Sequence, residues 1–210
     1  MWAWINDAAT LVAQYPGWTL VAAFLAAIIE ALAVVGTIVP GTFILMGLAG
    51  AAAAAGHPLL PILAISILGA VVGDYLSYWL GFHYRVTVRG WWILSQRPGL
   101  MESADRFFAR YGAYSVALCR FVPVLRSTVP LVAGIAGMDR RRFLAANVTS
   151  AFVWGPAHVC PAQLAGLSID RLRDGEWEQA AWFGAAVLVC GAAVFIAHRR
   201  LTPMLIGAKR

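Results

Sequence analysis

The 210-residue chain has little charge and few cysteines, and these shortages exclude several classes of protein. Only 12% of its residues are charged, 61% are hydrophobic, and the mean hydropathy is +0.74. Soluble domains are about a quarter charged, so a soluble monomer is excluded. Between residues 8 and 84 the only Asp, Glu, Lys or Arg side chains are Glu30 and Asp74. This distribution is typical of an integral membrane protein.

Residues that commonly form metal, disulfide or hydrolytic sites are also scarce. The three cysteines, Cys119, Cys160 and Cys190, lie in apolar segments without metal-ligand spacing. The four histidines are scattered, and no Gly-x-Ser-x-Gly motif is present, which argues against an enzyme acting on lipid phosphate. We therefore expect a protein that is not an enzyme and has no metal or cofactor.

The basic residues are arranged in short blocks rather than in a nucleic-acid-binding pattern. Arginines flank residues 112–137 on both sides: Arg85, Arg89, Arg97, Arg106 and Arg110 before, and Arg140, Arg141 and Arg142 after. The positive-inside rule places both flanks in the cytoplasm, so this segment enters and leaves on one side. The final span then returns the C-terminus to the cytoplasm.

The apolar runs predict both complete and broken membrane helices. A straight crossing needs about 20 apolar residues, which fits residues 58–82, 143–168 and 178–198. Proline and glycine interrupt residues 18–55 and 112–137, as in re-entrant hairpins. The positions that we expect to break these hairpins are Pro40, Gly41, Pro123, Pro130 and Gly134.

An internal repeat relates the two hairpins. Glu30 precedes Pro40 by ten residues, and Arg120 precedes Pro130 by ten residues. Duplicated halves with broken helices at matching positions indicate a transporter site at the repeat interface, although apolar segments also resemble each other by chance.

The predicted fold is an all-α polytopic membrane protein with two inverted repeats, each a re-entrant hairpin followed by a transmembrane helix, and a C-terminal span. One membrane domain covers 1–210. Its parts are a first repeat (15–82), a basic cytoplasmic amphipathic linker (83–111), a second repeat (112–168) and the C-terminal span (178–198).

Several motifs resemble the DedA family of bacterial inner-membrane proteins, whose relatives include the eukaryotic VTT-domain scramblases. They are Glu30 ahead of Pro40-Gly41, the stretch Leu68 to Tyr75 with Tyr78 and Gly81, Phe107 to Gly112, and Arg120-Phe-Val-Pro123-Val-Leu-Arg126 running to Met138. The match covers about residues 15–170. The resemblance implies movement of undecaprenyl phosphate or phospholipid between leaflets, with dependence on the proton-motive force. Many members carry an acid directly after Pro-Gly, whereas this chain has Thr42, so coupling through the usual acid pair does not follow.

Four charged residues are the main candidates for substrate binding or proton coupling. An ionised acid such as Glu30 costs roughly 2.5–3.5 kcal/mol at the bilayer centre, so it must be paired, hydrated or protonated. Arg120 and Arg126 match a phosphate group bidentately, or balance a carboxylate. We expect one arginine in each role. Asp74 lies beside a stripe of small residues that suits close helix packing. The sequence is equally consistent with a role for Asp74 in packing, in an ion pair or in proton relay.

Three weaker candidates are Thr42, Tyr78, one turn after Asp74, and His158. For His158 the alternatives are a side chain that titrates near neutrality and a hydrogen-bonded residue at a helix break. The favoured function is a lipid flippase or scramblase of the inner membrane, with anionic lipid and protons as partners and a homo-oligomer as an allowed arrangement. The alternatives are a proton-coupled exporter of small cations or drugs, and a membrane assembly factor.

Overall fold

A computed structural model describes residues 10, 12, 14–33, 35–37, 41–89, 98–121 and 123–206. These residues form helices and contain no β-strand. The helices in chain order are α1 (Pro16–Ala31), α2 (Gly41–Ala54), α3 (Leu59–Arg89), α4 (Pro98–Tyr111), α5 (Tyr114–Leu118), α6 (Pro123–Arg126), α7 (Thr128–Ile135), α8 (Arg140–Arg173) and α9 (Trp177–Ile206). Single 3₁₀ turns occur at Val35–Thr37 and Cys119–Phe121. The all-helical prediction is confirmed for this part of the chain.

The long helix α3 contains the clearest membrane crossing. Within the described residues, Leu59–Tyr84 is the one helical stretch that is long and apolar enough to span a bilayer. At 1.5 Å per residue, its 26 residues exceed the hydrocarbon thickness of about 30 Å. The predicted spans 143–168 and 178–198 lie within α8 and α9 and remain predictions as crossings.

The chain contacts divide the protein into two compact units. The first comprises Met1–Ala27, Gly41–Gly69 and Trp154–Phe195, and the second comprises Ile28–Pro40, Ala70–Val153 and Ile196–Arg210. In the first unit, α2 and α8 approach closely at two glycines. A Cβ atom on Gly50 would lie 3.1 Å from the Ala162 carbonyl oxygen, and one on Gly166 would meet the Gly50 backbone. Small residues therefore set this helix spacing.

The second unit is built around the broken segment 114–135. The buried side chains of Cys119, Leu125, Val129 and Val132 pack against two residues of α4, Ala104 and Phe107. The helix α4 lies within the predicted amphipathic linker 83–111, and its apolar residues Ala104 and Phe107 contact this core. Residues 90–97 of the predicted linker lie outside the described part of the chain.

The turn between α7 and α8 has a specific backbone requirement. Gly137 has a φ of 72°, and the Met138 N–H donates to the Ala133 carbonyl oxygen at 3.0 Å, which ends α7. Asp139 then begins the next helix, because its carboxylate accepts hydrogen bonds from the N–H groups of Arg141 and Arg142, both at 3.1 Å. This short turn therefore determines the residue at which α8 begins.

Candidate functional site

The four charged candidates all lie in the second unit and form two ion pairs. The Nη2 atom of Arg120 contacts Oδ2 of Asp74, and the Nη1 atom of Arg126 contacts Oε1 of Glu30. The Arg120 and Asp74 side chains are 1% and 2% exposed, and those of Arg126 and Glu30 are 8% and 10% exposed. We expected one arginine to remain available for phosphate, but in this structure each is paired with an acid.

A buried amide completes the first pair. Arg120 Nη2 also donates to the Asn147 side-chain oxygen at 2.5 Å. The Asn147 nitrogen in turn donates to the Val71 carbonyl oxygen at 3.0 Å. Asn147 therefore fixes Arg120 relative to two helices, α3 through Val71 and Asp74, and α8 through its own backbone.

The first pair retains unused hydrogen-bonding capacity. Among the described residues, Nε and Nη1 of Arg120 and Oδ1 of Asp74 have no hydrogen-bond partner, although all three atoms are buried. A guanidinium has five N–H donors, so Arg120 keeps N–H groups at Nε and at Nη1 that no described residue accepts. The hydroxyl of Thr128, also buried, is likewise without a partner in the described residues.

Glu30 is positioned by the end of α1. This helix ends at Ala31, and Ser77 of α3 forms hydrogen bonds with the backbone at and just after that end. The Ser77 Oγ atom accepts a hydrogen bond of 3.0 Å from the Ala33 N–H and lies 3.2 Å from the Ala31 carbonyl oxygen. Because Ser77 satisfies backbone groups that the helix end leaves open, it holds Glu30 in place.

The two arginines owe their positions to the short helices of the second hairpin. Arg120 is in the 3₁₀ turn Cys119–Phe121, and Arg126 is the last residue of the four-residue α6. Each break lets the chain turn before the next helix begins. Two cations six residues apart can therefore contact carboxylates from two different segments, residue 30 and residue 74.

The predicted break positions have different outcomes. Gly41 begins α2 and Pro123 begins α6, where proline is tolerated because the first N–H groups of a helix need no partner. Pro130 and Gly134 do not break the chain, because both lie inside α7. Pro130 is in the first turn of that helix, which explains its tolerance. Pro40 lies outside the described residues.

Gly134 has a packing role instead. A Cβ atom on Gly134 would overlap the Tyr78 carbonyl oxygen and lie 2.7 Å from the Phe82 nitrogen. Reciprocally, a Cβ on Gly81 would overlap the Leu131 carbonyl oxygen. The two glycines allow α3 and α7 to pack backbone against backbone, as small residues do in membrane helix pairs.

The weaker candidates are not among the four side chains of the two salt bridges. Tyr78 is buried, stacks on Phe143 with ring centroids 4.2 Å apart, and donates its hydroxyl to the Met138 carbonyl oxygen at 2.6 Å. Thr42 and His158 belong to the first unit. The Nδ1 of His158 lies 2.9 Å from the carbonyl oxygen of Trp154 in its own helix, which agrees with the alternative of a hydrogen-bonded helix residue.

Ser77 and Asn147 are the partners that sequence reasoning missed. In sequence, Ser77 belongs to the stripe of small residues beside Asp74, which also contains Gly69, Gly73 and Gly81, and Asn147 is one of two amide side chains in the predicted span 143–168. A buried amide inside a membrane segment needs hydrogen-bond partners, and that requirement was the available signal.

The two buried ion pairs are chemically suited to exchanging the carboxylate on an arginine for another anion. Burying two ion pairs gains little stability, because desolvation offsets much of the Coulomb attraction. An arginine in such a pair can instead accept a different oxyanion in the same geometry, since phosphate and carboxylate oxygens match its fork equally well.

Known proteins with similar sequences are membrane proteins. The VTT domain matches residues 39–163. The inner membrane protein YabI of Escherichia coli is 28% identical over 188 residues, covering 88% of this chain and 71% of YabI. The E. coli protein DedA is 31% identical over 155 residues, covering 70% of this chain and 68% of DedA. An uncharacterized membrane protein of Mycobacterium tuberculosis, MT2715, is 30% identical over 175 residues, covering 76% of each chain.

The chain spans between 65% and 76% of the lengths of the curated relatives that it matches. No solved structure matches it.

Proposed function

This chain belongs to the DedA family of VTT-domain membrane proteins, and on that premise we propose that it moves a phosphate-bearing anionic lipid between the leaflets of the bacterial inner membrane. The observation that carries this proposal is the buried pair of Arg120 and Asp74, in which Arg120 keeps donors that no described residue accepts. A lipid phosphate is the membrane component best matched to such a fork. Polyprenyl phosphate and phospholipid both supply it.

The proposed step is an exchange of anions on Arg120. A phosphate oxygen first binds one of the Arg120 donors that no described residue accepts, and the phosphate then displaces the Asp74 carboxylate from Nη2. Asp74, left without its partner in an apolar environment, takes up a proton because an isolated buried carboxylate is costly. Release of the lipid reverses both events, which links headgroup movement to proton movement.

The pair of Glu30 and Arg126 would have a structural role, whereas the pair of Arg120 and Asp74 would bind the lipid phosphate. Glu30 and Arg126 join residue 30, at the end of α1, to the end of α6. Opening this pair would free the second hairpin to move relative to α1.

The alternative, a proton-coupled exporter of small cations or drugs, is less well supported. A cation would have to bind a carboxylate that a guanidinium already neutralises, and the nearby arginines would repel it. An assembly factor remains the alternative in which the two ion pairs act only through stability.

Purified protein in liposomes tests the proposal. Exchange of a labelled phospholipid and of a labelled polyprenyl phosphate between leaflets is measured with and without a proton gradient. We expect exchange that requires the phosphate group and that Arg120→Ala abolishes. Exchange equal to that of protein-free liposomes, with correctly folded protein, would contradict the proposal. Export of a cationic dye without lipid exchange would support the exporter.

A further inference from the structure

A cavity of about 680 Å³ lies in the second unit, at the end of the membrane-crossing helix. One wall is the last part of α3, with the rings of Tyr75, Tyr78, Trp79 and Phe82. The other wall is the turn that precedes α8, including Asp139 and Arg140. Because the apolar stretch of α3 ends at Tyr84, this cavity is at the level where a bilayer meets water.

Arg140 gives the cavity its charge. Its guanidinium carbon lies 5.1 Å from the centroid of the Tyr75 ring, which holds the cation by a cation–π contact. Among the described residues, no carboxylate forms a salt bridge with Arg140. The Asp139 carboxylate, which also lines the cavity, accepts the N–H groups of Arg141 and Arg142 at the start of α8 and forms no salt bridge with Arg140.

These features favour an anion over a cation. The face of Tyr75 is already covered by a guanidinium, so an ammonium group would find the aromatic site taken and a positive charge beside it. A phosphate therefore fits the Arg140 end.

The remaining wall suits a lipid tail. Trp79 and Phe82 are exposed, at 38% and 39%, on the helix that crosses the membrane. A ligand with a phosphate at Arg140 and an apolar chain along these rings would satisfy both ends of the cavity. Free phosphate would use only the charged end.

We propose that this cavity is an interfacial headgroup site for a phosphate-bearing lipid, separate from the buried ion pairs. This inference rests on the proposed function, because only lipid transport makes the cavity the place where the lipid binds first. Tyr75 directly follows Asp74, and Tyr78 comes four residues after it, about 6 Å along the helix axis. The α3 wall of the cavity therefore lies within about one helical turn of Asp74, a member of the Arg120 pair.

Photo-crosslinking of the full chain in detergent micelles tests the site. The probe is a short polyprenyl phosphate with a diazirine next to the phosphate, and mass spectrometry locates the labelled peptides. We expect labels on residues 75–83 and 137–140. Arg140→Gln should lower this labelling about fivefold to tenfold, as expected for loss of a charge-assisted hydrogen bond.

The matched control is Arg142→Gln, which removes the same charge from the same cluster without lining the cavity. It should change labelling less than about twofold, as for an exposed charge outside the site. A second variant, Tyr75→Leu, removes the ring beneath Arg140 and should lower labelling while preserving the charge. Equal labelling of the parent and of both cavity variants would overturn the proposal.

Two competitors identify the source of the phosphate. Unlabelled polyprenyl phosphate should compete with the probe, whereas inorganic phosphate and polyprenyl alcohol should not. Competition by inorganic phosphate alone would mean that the cavity binds a free anion and not a lipid. Competition by the alcohol would mean that the cavity binds only the apolar tail. Either result would overturn the proposal. Labelling here without leaflet exchange in liposomes would instead reject the proposed function and keep the site.

Discussion

The side-chain oxygen of Asn147 accepts a hydrogen bond of 2.5 Å from Arg120, although 27 residues separate them. Through this bond α8 holds the guanidinium that also contacts Asp74 of α3. The Asn147 amide thus fixes the orientation of the Arg120 guanidinium, which the attraction of opposite charges alone would not determine.

Replacing Asn147 with Ala should therefore disturb the site more than its volume suggests. The change removes an acceptor from a buried guanidinium, and such a loss costs about 1–3 kcal/mol. We expect a lower melting temperature in detergent and slower lipid exchange. Thr149→Ala is the control, because Thr149 is exposed and bonds only to its own helix. Similar losses in the two variants would show that Asn147 has no special connection to Arg120.

The pair of Glu30 and Arg126 should show strong energetic coupling. Arg126→Ala leaves a buried carboxylate without its partner and should destabilise the protein by about 3–5 kcal/mol. The double variant Glu30→Leu with Arg126→Met removes both charges and should recover most of that loss. Thermal unfolding in detergent gives the double-mutant cycle.

The exposed pair of Glu102 and Arg106 is the control for this cycle. Their side chains are 69% and 63% exposed, and their coupling should stay below about 1 kcal/mol. A double variant no more stable than Arg126→Ala would mean that the cost arises from lost packing and not from the stranded charge.

The contact between α3 and α7 should tolerate no added side chain. Gly81→Ala and Gly134→Ala each place a methyl group against the backbone of the other helix. Overpacking costs about 1–3 kcal/mol, and more where backbone must move. Gly47→Ala is the control, because nothing lies within 4 Å of its Cβ position. That change should be neutral or stabilising by up to about 1 kcal/mol, and melting temperatures compare the three.

Much of this architecture follows from sequence because charge is so rare in the chain. Glu30 and Asp74 stand out in a long apolar run, and the two arginines beside Pro123 are candidate partners for them, although the sequence predicted that one arginine would bind phosphate instead. The pairing itself does not follow, because either arginine can reach either acid until the short helices after Cys119 set their directions. Gly134 resembles a break in sequence, yet its missing side chain serves the contact with Tyr78.

The side of the membrane reached by the second hairpin is still a sequence prediction. Single cysteines replace Arg106, Ala136 and Asp174, all of them exposed, in a background without the native cysteines. Asp174 lies between α8 and α9. A membrane-impermeant thiol reagent should label the first two positions from the cytoplasm and the third from outside, following the positive-inside rule. Labelling of positions 106 and 136 from opposite sides would end the re-entrant interpretation.

The sharpest test of the proposed function separates the charge of Arg120 from its geometry. Arg120→Lys keeps a cation for Asp74, so the protein should fold and melt within a few degrees of the parent. Lysine lacks the planar fork, however, and provides no counterpart of the Nε and Nη1 donors that face no described acceptor. Lipid exchange should therefore fall at least about tenfold, which corresponds to roughly 1.4 kcal/mol. Arg106→Lys on the exposed face of α4 controls for the substitution itself and should leave exchange unchanged. If Arg120→Lys transports at the parental rate, Arg120 serves only to neutralise Asp74, and the phosphate must bind elsewhere.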